Sequence, residues 1–104
     1  MRMIPYPHPG EILMEEFLRP MGITQYRLAK EVGVSQRRIG EIVAGSRAVT
    51  VDTGLRLSRF FGMSDGFWIG LQSDYEQACA KDALAAALAQ ITPWTECRRI
   101  AGDL

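Results

Sequence analysis

Apolar residues recur at helical spacing along most of this chain, and no segment alternates apolar and polar residues for long enough to form a strand. Glycines, prolines and capping residues divide the pattern at fairly regular intervals. The pattern therefore predicts an all-α fold. The expected helices run from Pro9 to a stop at Pro20-Met21-Gly22, twice within residues 24–45, from Thr50 to Gly62, onward from Ser64-Asp65, and from Ala78 to Thr92-Pro93.

The apolar positions of these helices predict the core. Its expected members are Ile12, Leu13, Phe17, Leu18, Leu28, Ala29, Val32, Ile39, Ile42, Val43, Leu55, Leu57, Phe60 and Phe61. The fifth helix adds an aromatic stripe, which fits either the core or a dimer seam: Phe67, Trp68, Leu71 and Tyr75. In the alanine-rich last helix, Leu84, Leu88 and Ile91 provide only a narrow seam, which is typical of a helix that packs on a partner.

Residues 24–45 contain two short helices that meet at a glycine. Thr24 and Ser35 are suited to cap the two helices, because their hydroxyls can accept hydrogen bonds from amides of the first turn. Gly33 between them can take a positive φ at low cost, so the chain can turn sharply there. This layout predicts a helix-turn-helix.

The second helix of this pair begins with three long polar side chains, Gln36, Arg37 and Arg38. The polar ends of glutamine and arginine match the edges of adenine and guanine in the major groove, and the start of a recognition helix lies close to those edges. A solvated polar face is the competing interpretation. We expect these three residues to read DNA bases.

Charge is unevenly distributed along the chain. The net charge is zero, but residues 19–59 contain eight basic and three acidic residues between two acidic ends. A basic middle segment is consistent with a surface that faces phosphates, although solvated helical faces can account for part of it.

Several other functions are not supported by the sequence. No nucleophile is paired with a base and no glycine-rich phosphate loop is present, so we expect neither an enzyme nor a small-molecule substrate. Cys79 and Cys97 are outside any CxxC spacing and His8 is the single histidine, so no metal or other cofactor is expected. No apolar run reaches the roughly 18 residues of a membrane span, and the first ten residues do not resemble an export signal. Cytoplasm is the expected location.

The segment GITQYRLAKEVGVSQRRIGEIVAGSRAVTVDTGLRLSRFF resembles the helix-turn-helix of the phage-repressor-like (XRE) class. Together with HPGEIL before it and FWIGLQSDYE after it, it resembles the HigA antitoxin family, also called VapI or plasmid-maintenance antidote proteins. The resemblance covers about residues 7–77. Residues 78–104 carry no such resemblance.

The resemblance implies a five-helix phage-repressor-like DNA-binding domain over residues 1–77, with the helix-turn-helix at about 24–45. It further implies a homodimer on a palindromic double-stranded DNA operator, repression of the protein's own operon, and neutralisation of a HigB-like toxin of the RelE fold. Independently of the resemblance, the alanine-rich composition and narrow apolar seam predict that residues 78–104 form a C-terminal helical extension and tail that could contact the dimer mate or another partner. The tail from Trp94 to Leu104 is expected to be either docked or partly disordered. A stand-alone phage-repressor-like regulator without a toxin is the open alternative.

The resemblance also suggests roles for individual residues. Base readout falls to Gln36, Arg37 and Arg38, and phosphate contacts fall to Thr24, Gln25, Ser35, Ser46 and Arg47. Two positions depart from the family pattern. Gly40 stands where relatives often carry Asn or Ser, which narrows the reading surface to the first turn, and Ser46 stands where lysine is frequent, which shifts affinity toward Arg47.

Overall fold

A computed structural model describes residues 6–96, and all regular structure in that range is helical. Five helices pack together: α1 over residues 9–21, α2 at Gln25–Val32, α3 at Gln36–Val43, α4 at Val51–Phe61 and α5 at Phe67–Ala83. A short sixth helix, α6, follows at Ala85–Ala89. The predicted all-α architecture of five helices and a C-terminal helical extension is confirmed.

Helix α1 contains a widened turn ahead of its proline. Over Leu13–Leu18 the helix is of the π type, and the N–H of Arg19 donates to the carbonyl of Met14, five residues back. In a regular α-helix the ring of Pro20 would clash with the carbonyl four residues earlier, and a wider turn relieves that clash. The helix therefore continues through the proline and ends at Gly22, which takes a φ of 67°.

The core is built from apolar side chains of all five packed helices and the loop before α4. Its buried hydrophobic members are Leu13, Leu18, Leu28, Ala29, Val32, Ile39, Ile42, Val49, Leu57 and Trp68. Trp68 has no exposed surface, and its ring centroid lies 5.1 Å from that of Phe17, 6.0 Å from Phe61 and 5.4 Å from Phe67. The aromatic stripe of the fifth helix thus starts in the core. Leu55 and Phe60 differ from the predicted core, because they are 38% and 37% exposed.

The C-terminal part of the chain departs from the predicted division into a fifth and a sixth helix. Helix α5 is continuous for 17 residues and crosses the expected domain boundary at residues 77–78. The break comes later, at Leu84, whose φ of −102° and ψ of 9° leave the helical range. Residues 80–96 are exposed throughout. Between residues 6 and 96, no helix is long and apolar enough to cross a membrane. Cys97 and the rest of the predicted tail lie outside the described residues.

Candidate DNA-binding surface

Helices α2 and α3 form the predicted helix-turn-helix, and its local hydrogen bonds are those that the sequence predicts. The Thr24 hydroxyl oxygen accepts from the N–H of Arg27 at 3.0 Å, and the Ser35 hydroxyl oxygen accepts from the N–H of Arg38 at 3.0 Å. Between the helices, Gly33 has a φ of 76°. Both caps and the glycine turn are confirmed.

The first turn of α3 exposes two of the three side chains that were expected to read bases. Gln36 is exposed, and the side chain of Arg37 is 86% exposed. Arg38 is half-buried and lies near Asp52 of α4, whose pKa is lowered mainly by the hydrogen bond from Arg56 and to a smaller extent by the charge of Arg38. The structure thus exposes Gln36 and Arg37 to solvent at the start of α3, whereas Arg38 is partly covered.

Glu41 joins the two arginines with the clearest predicted roles. Its carboxylate accepts from Nε of Arg47 at 2.8 Å and from Nε of Arg37 at 3.1 Å. These hydrogen bonds, with that of Arg47 the larger cause, hold the pKa of Glu41 below its ordinary value. The pair of Arg37 with Glu41 could have been predicted from the sequence, because the two residues are four apart on one helix. The pair with Arg47 depends on the path of the loop after α3, and the sequence reasoning missed it.

Two of the expected phosphate-binding side chains also have partners within the domain. Ser46 closes α3, because both its hydroxyl and its N–H donate to the carbonyl of Glu41, at 3.2 and 2.9 Å. Gln25 is half-buried, and its Oε1 would lie 3.5 Å from a Cβ built on Gly40. A Cβ at that distance makes an ordinary van der Waals contact, so Gln25 does not require a glycine at position 40; its internal partner is the Met14 sulfur, which accepts from Nε2 at 4.0 Å.

Two long-range hydrogen bonds support this surface from behind. The buried Gln72 of α5 accepts, through Oε1, from the N–H of Val49 at 2.8 Å, which anchors the end of the loop that carries Arg47. In α4, Arg56 donates through Nη1 to the carbonyl of Val32 at 2.8 Å, at the end of α2. Sequence reasoning did not identify either supporting residue.

Most arginines of the basic middle segment pair with neighbouring carboxylates. Among the described residues, every arginine between 19 and 59 except Arg38 forms an ion pair with a carboxylate. Four of these six pairs are i,i+4 pairs on a single helix. Of the carboxylates in these pairs, only Glu15 and Asp65 come from outside residues 19–59, so the segment keeps a net positive charge. Part of that charge lies where Arg37 and Arg47 share one carboxylate.

The histidine and the cysteine among the described residues are of types that can bind metals, and the structure shows their surroundings. His8 is buried and caps α1, with its Nδ1 accepting from the N–H of Gly10 at 2.9 Å. Cys79 is half-buried with a free thiol. Within residues 6–96, no group of three or more His, Cys, Asp or Glu residues could hold a metal ion.

Comparison with known proteins agrees with this geometry. A family model described as Helix-turn-helix matches residues 14–68. Virulence-associated protein I of Dichelobacter nodosus is 47% identical over 78 residues, which are 75% of this chain and 72% of that protein. The antitoxin HigA of Pseudomonas aeruginosa, solved with the higBA promoter, is 38% identical, with a TM-score of 0.80 over 85% of this chain and 97% of that one. This chain belongs to the HigA/VapI family.

A further member of the HigA/VapI family has the same fold. The structure of an addiction module antidote protein of a HigA family from Coxiella burnetii is 36% identical, with a TM-score of 0.80 over 88% of this chain and 100% of that one. The matched family model spans the whole helix-turn-helix, and the family resemblance predicted from the sequence is confirmed. Family membership places this chain among DNA-binding regulators and antitoxins rather than enzymes.

Proposed function

We propose that this protein is the antitoxin of a HigB-like toxin–antitoxin pair. It represses its own operon by binding a palindromic operator as a homodimer, and it neutralises a toxin of the RelE fold encoded beside it. The observation that carries the DNA-binding part is the exposure of Gln36 and Arg37 together at the start of a capped helix. The relative solved with its promoter supports the same assignment. Such a repressor acts where the chromosome is, in the cytoplasm.

In this proposal the surface divides its work between bases and backbone. Gln36, Arg37 and Arg38 read base edges, while Arg47 and the amino-terminal turns of α2 and α3 hold phosphates. Amides at the start of a helix carry partial positive charge, so Thr24, Gln25 and Ser35 are suited to bring phosphates close. Ser46 stands beside Arg47, but its hydroxyl and N–H both donate to the carbonyl of Glu41, so its contact with a phosphate requires the hydroxyl to leave that carbonyl.

Operator binding can be tested with DNA from upstream of the gene and a scrambled duplex of equal length. Replacing Arg37 with alanine should weaken operator binding by about 1–3 kcal/mol if the side chain contacts a base, with little effect on the scrambled duplex. Replacing Arg47 with alanine should weaken binding to both duplexes and reduce the slope of log K against log salt by about one unit.

The matched control is Arg59→Ala, which removes the same charge from the last turn of α4, where Arg59 pairs with Asp65 at 3.1 Å. This variant should bind both duplexes nearly as the wild type does. If Arg37→Ala and Arg47→Ala also bind like the wild type, the assignment of the surface is wrong.

We infer that a second copy of this chain covers the exposed apolar side chains near the C-terminus. Leu84, Leu88, Ile91 and Trp94 are 49%, 45%, 66% and 72% exposed. An apolar row of this size on a helical extension is typical of an interface, and a palindrome needs two copies about one helical turn apart. Leu88→Glu should halve the mass in solution and weaken operator binding, whereas Ala86→Glu on the same short helix tests the effect of charge alone. An unchanged mass for Leu88→Glu would place the dimer contact elsewhere.

The antitoxin part of the proposal depends on a second protein. Co-expression with the product of an adjacent small toxin-like gene should restore growth, and the two proteins should purify together. If no such gene adjoins this one and no toxin is neutralised, the stand-alone phage-repressor-like regulator is the better description.

A further inference from the structure

Glu41 occupies an unusual position for a carboxylate on a surface that would face DNA. It lies one turn after Arg37 on α3, and its two oxygens accept from the Nε atoms of two different arginines. Its side chain is 30% exposed, whereas that of Arg37 is 86% exposed and that of Arg47 is 44% exposed. The carboxylate therefore lies behind the two guanidinium groups.

In this arrangement each guanidinium donates to Glu41 through Nε, and its two Nη groups remain available to bind DNA. Both arginines are bound through Nε, and the described residues offer their Nη atoms no other hydrogen bond. An Arg presents its two Nη groups as a planar fork that matches O6 and N7 of a guanine. A guanidinium anchored at Nε keeps that fork in a defined orientation and loses less side-chain entropy on binding.

The same carboxylate opposes contacts with phosphate. A negative charge beside Arg37 and Arg47 offsets part of their attraction to the DNA backbone, and an arginine that swings toward a phosphate must first give up its pair with Glu41. Glu41 is ionised near neutral pH, as an ordinary glutamate is, and its two arginine partners lower its pKa further. A base contact made through the two Nη groups keeps the ion pair with Glu41. A phosphate contact that requires the arginine to reorient breaks that pair.

We propose that Glu41 is a specificity-determining positioning residue, which orients Arg37 for base readout and restrains Arg37 from binding phosphate on unrelated DNA. This inference rests on the proposed operator binding. Glu41 does not touch DNA in this scheme. It acts through Arg37, and its effect is on the ratio of operator to non-specific affinity rather than on affinity as such.

The test compares Glu41→Gln with the wild type on the upstream operator duplex and on a scrambled duplex, over a range of salt concentrations. Glutamine keeps the shape of the side chain but removes the charge. Operator-to-scrambled discrimination should fall about tenfold, within the range that one bidentate base contact provides. The scrambled duplex should bind more tightly, and its salt slope should steepen by up to about 0.9 when Arg37 is released to a phosphate.

The matched control is Glu15→Gln, which removes one negative charge from another i,i+4 pair, that of Glu15 with Arg19 at 3.1 Å on α1. It should leave discrimination unchanged. In an Arg37→Ala background, Glu41→Gln should lose most of its effect on discrimination, which a general change in folding or charge would not produce.

The outcomes separate this inference from the proposed function. An unchanged discrimination ratio in Glu41→Gln, or an unchanged salt slope on the scrambled duplex, overturns the role of Glu41 while leaving operator binding intact. A wild-type protein that does not distinguish the operator from the scrambled duplex refutes the proposed function itself.

Discussion

The contact between α1 and α3 depends on the absence of a side chain at Gly10. This glycine is buried in the first turn of α1. A Cβ placed on it would lie 1.7 Å from the carbonyl oxygen of Ile42 and 2.5 Å from its carbonyl carbon, whereas ordinary contact begins at about 3.4 Å. The obstructing atoms are helical backbone and cannot rotate away. Gly10→Ala therefore requires the two helices to separate.

The expected cost follows from the size of that overlap. Overpacking that side chains can absorb costs about 1–3 kcal/mol, and an obstructing backbone places this substitution at or above the upper end. Alanine regains up to about 1 kcal/mol through its higher helix propensity. We expect a net loss of about 2–3 kcal/mol of unfolding free energy. In a domain of this size, that loss corresponds to a fall in Tm of roughly 8–24 °C, since each kcal/mol shifts Tm by about 4–8 °C.

Thermal and urea unfolding followed by circular dichroism would measure the effect, with Gly70→Ala as the matched control. Gly70 lies inside α5, and a Cβ there meets nothing within 4 Å, so the same substitution should raise stability by up to about 1 kcal/mol. Opposite signs at the two glycines are the expected result. A Gly10→Ala protein that melts at or above the wild-type temperature would refute the close approach of α1 to α3.

Three further predictions concern residues that support the candidate DNA-binding surface. Gln72→Leu should cost about 1–3 kcal/mol in urea unfolding, because the buried N–H of Val49 loses its acceptor, whereas Gln77→Leu on the exposed face of α5 should have little effect. Arg56→Met should cost about 1 kcal/mol by the same assay, because the carbonyl of Val32 loses its donor while the aliphatic stem is kept. Folding lowers the pKa of Glu41, so its ion pairs stabilise the folded protein above pH 4.5, and this stabilisation is lost as the pH falls below that value. The free energy of unfolding of the wild type should therefore decline more steeply below pH 4.5 than that of Glu41→Gln.

The parts of the fold that the sequence predicts well are determined by neighbouring residues. Thr24, Ser35 and Thr50 each cap a helix through a hydroxyl that accepts from an amide three residues later. Gly33 and Gly62 both take positive φ at helix ends. A cap and a left-handed glycine act within one turn, so residue type and spacing are sufficient to locate the start and end of the helix.

The parts that the sequence misses depend on contacts between distant segments. Gln72 meets Val49 across 23 residues, and Arg56 meets Val32 across 24, and no local pattern indicates either pair. Helical periodicity likewise assigns Leu55 to an apolar face, but it does not specify how wide a face the neighbouring helices cover. The break at Leu84 was also missed, because alanine on both sides favours a helix equally well.

The distribution of charge is also predicted only in part by the sequence, and it bears directly on DNA binding. Counting residues predicts a broadly basic middle segment, yet the structure pairs nearly all of its described arginines with carboxylates. Exposed pairs of this kind add little to stability, but each one reduces the long-range attraction to a polyanion. For a chain with zero net charge and paired arginines, we expect a weak non-specific attraction to DNA. If it represses an operator, the required affinity must come from the few side chains at the start of α3 and from the joint binding of two copies, so specificity and dimerisation become parts of one mechanism.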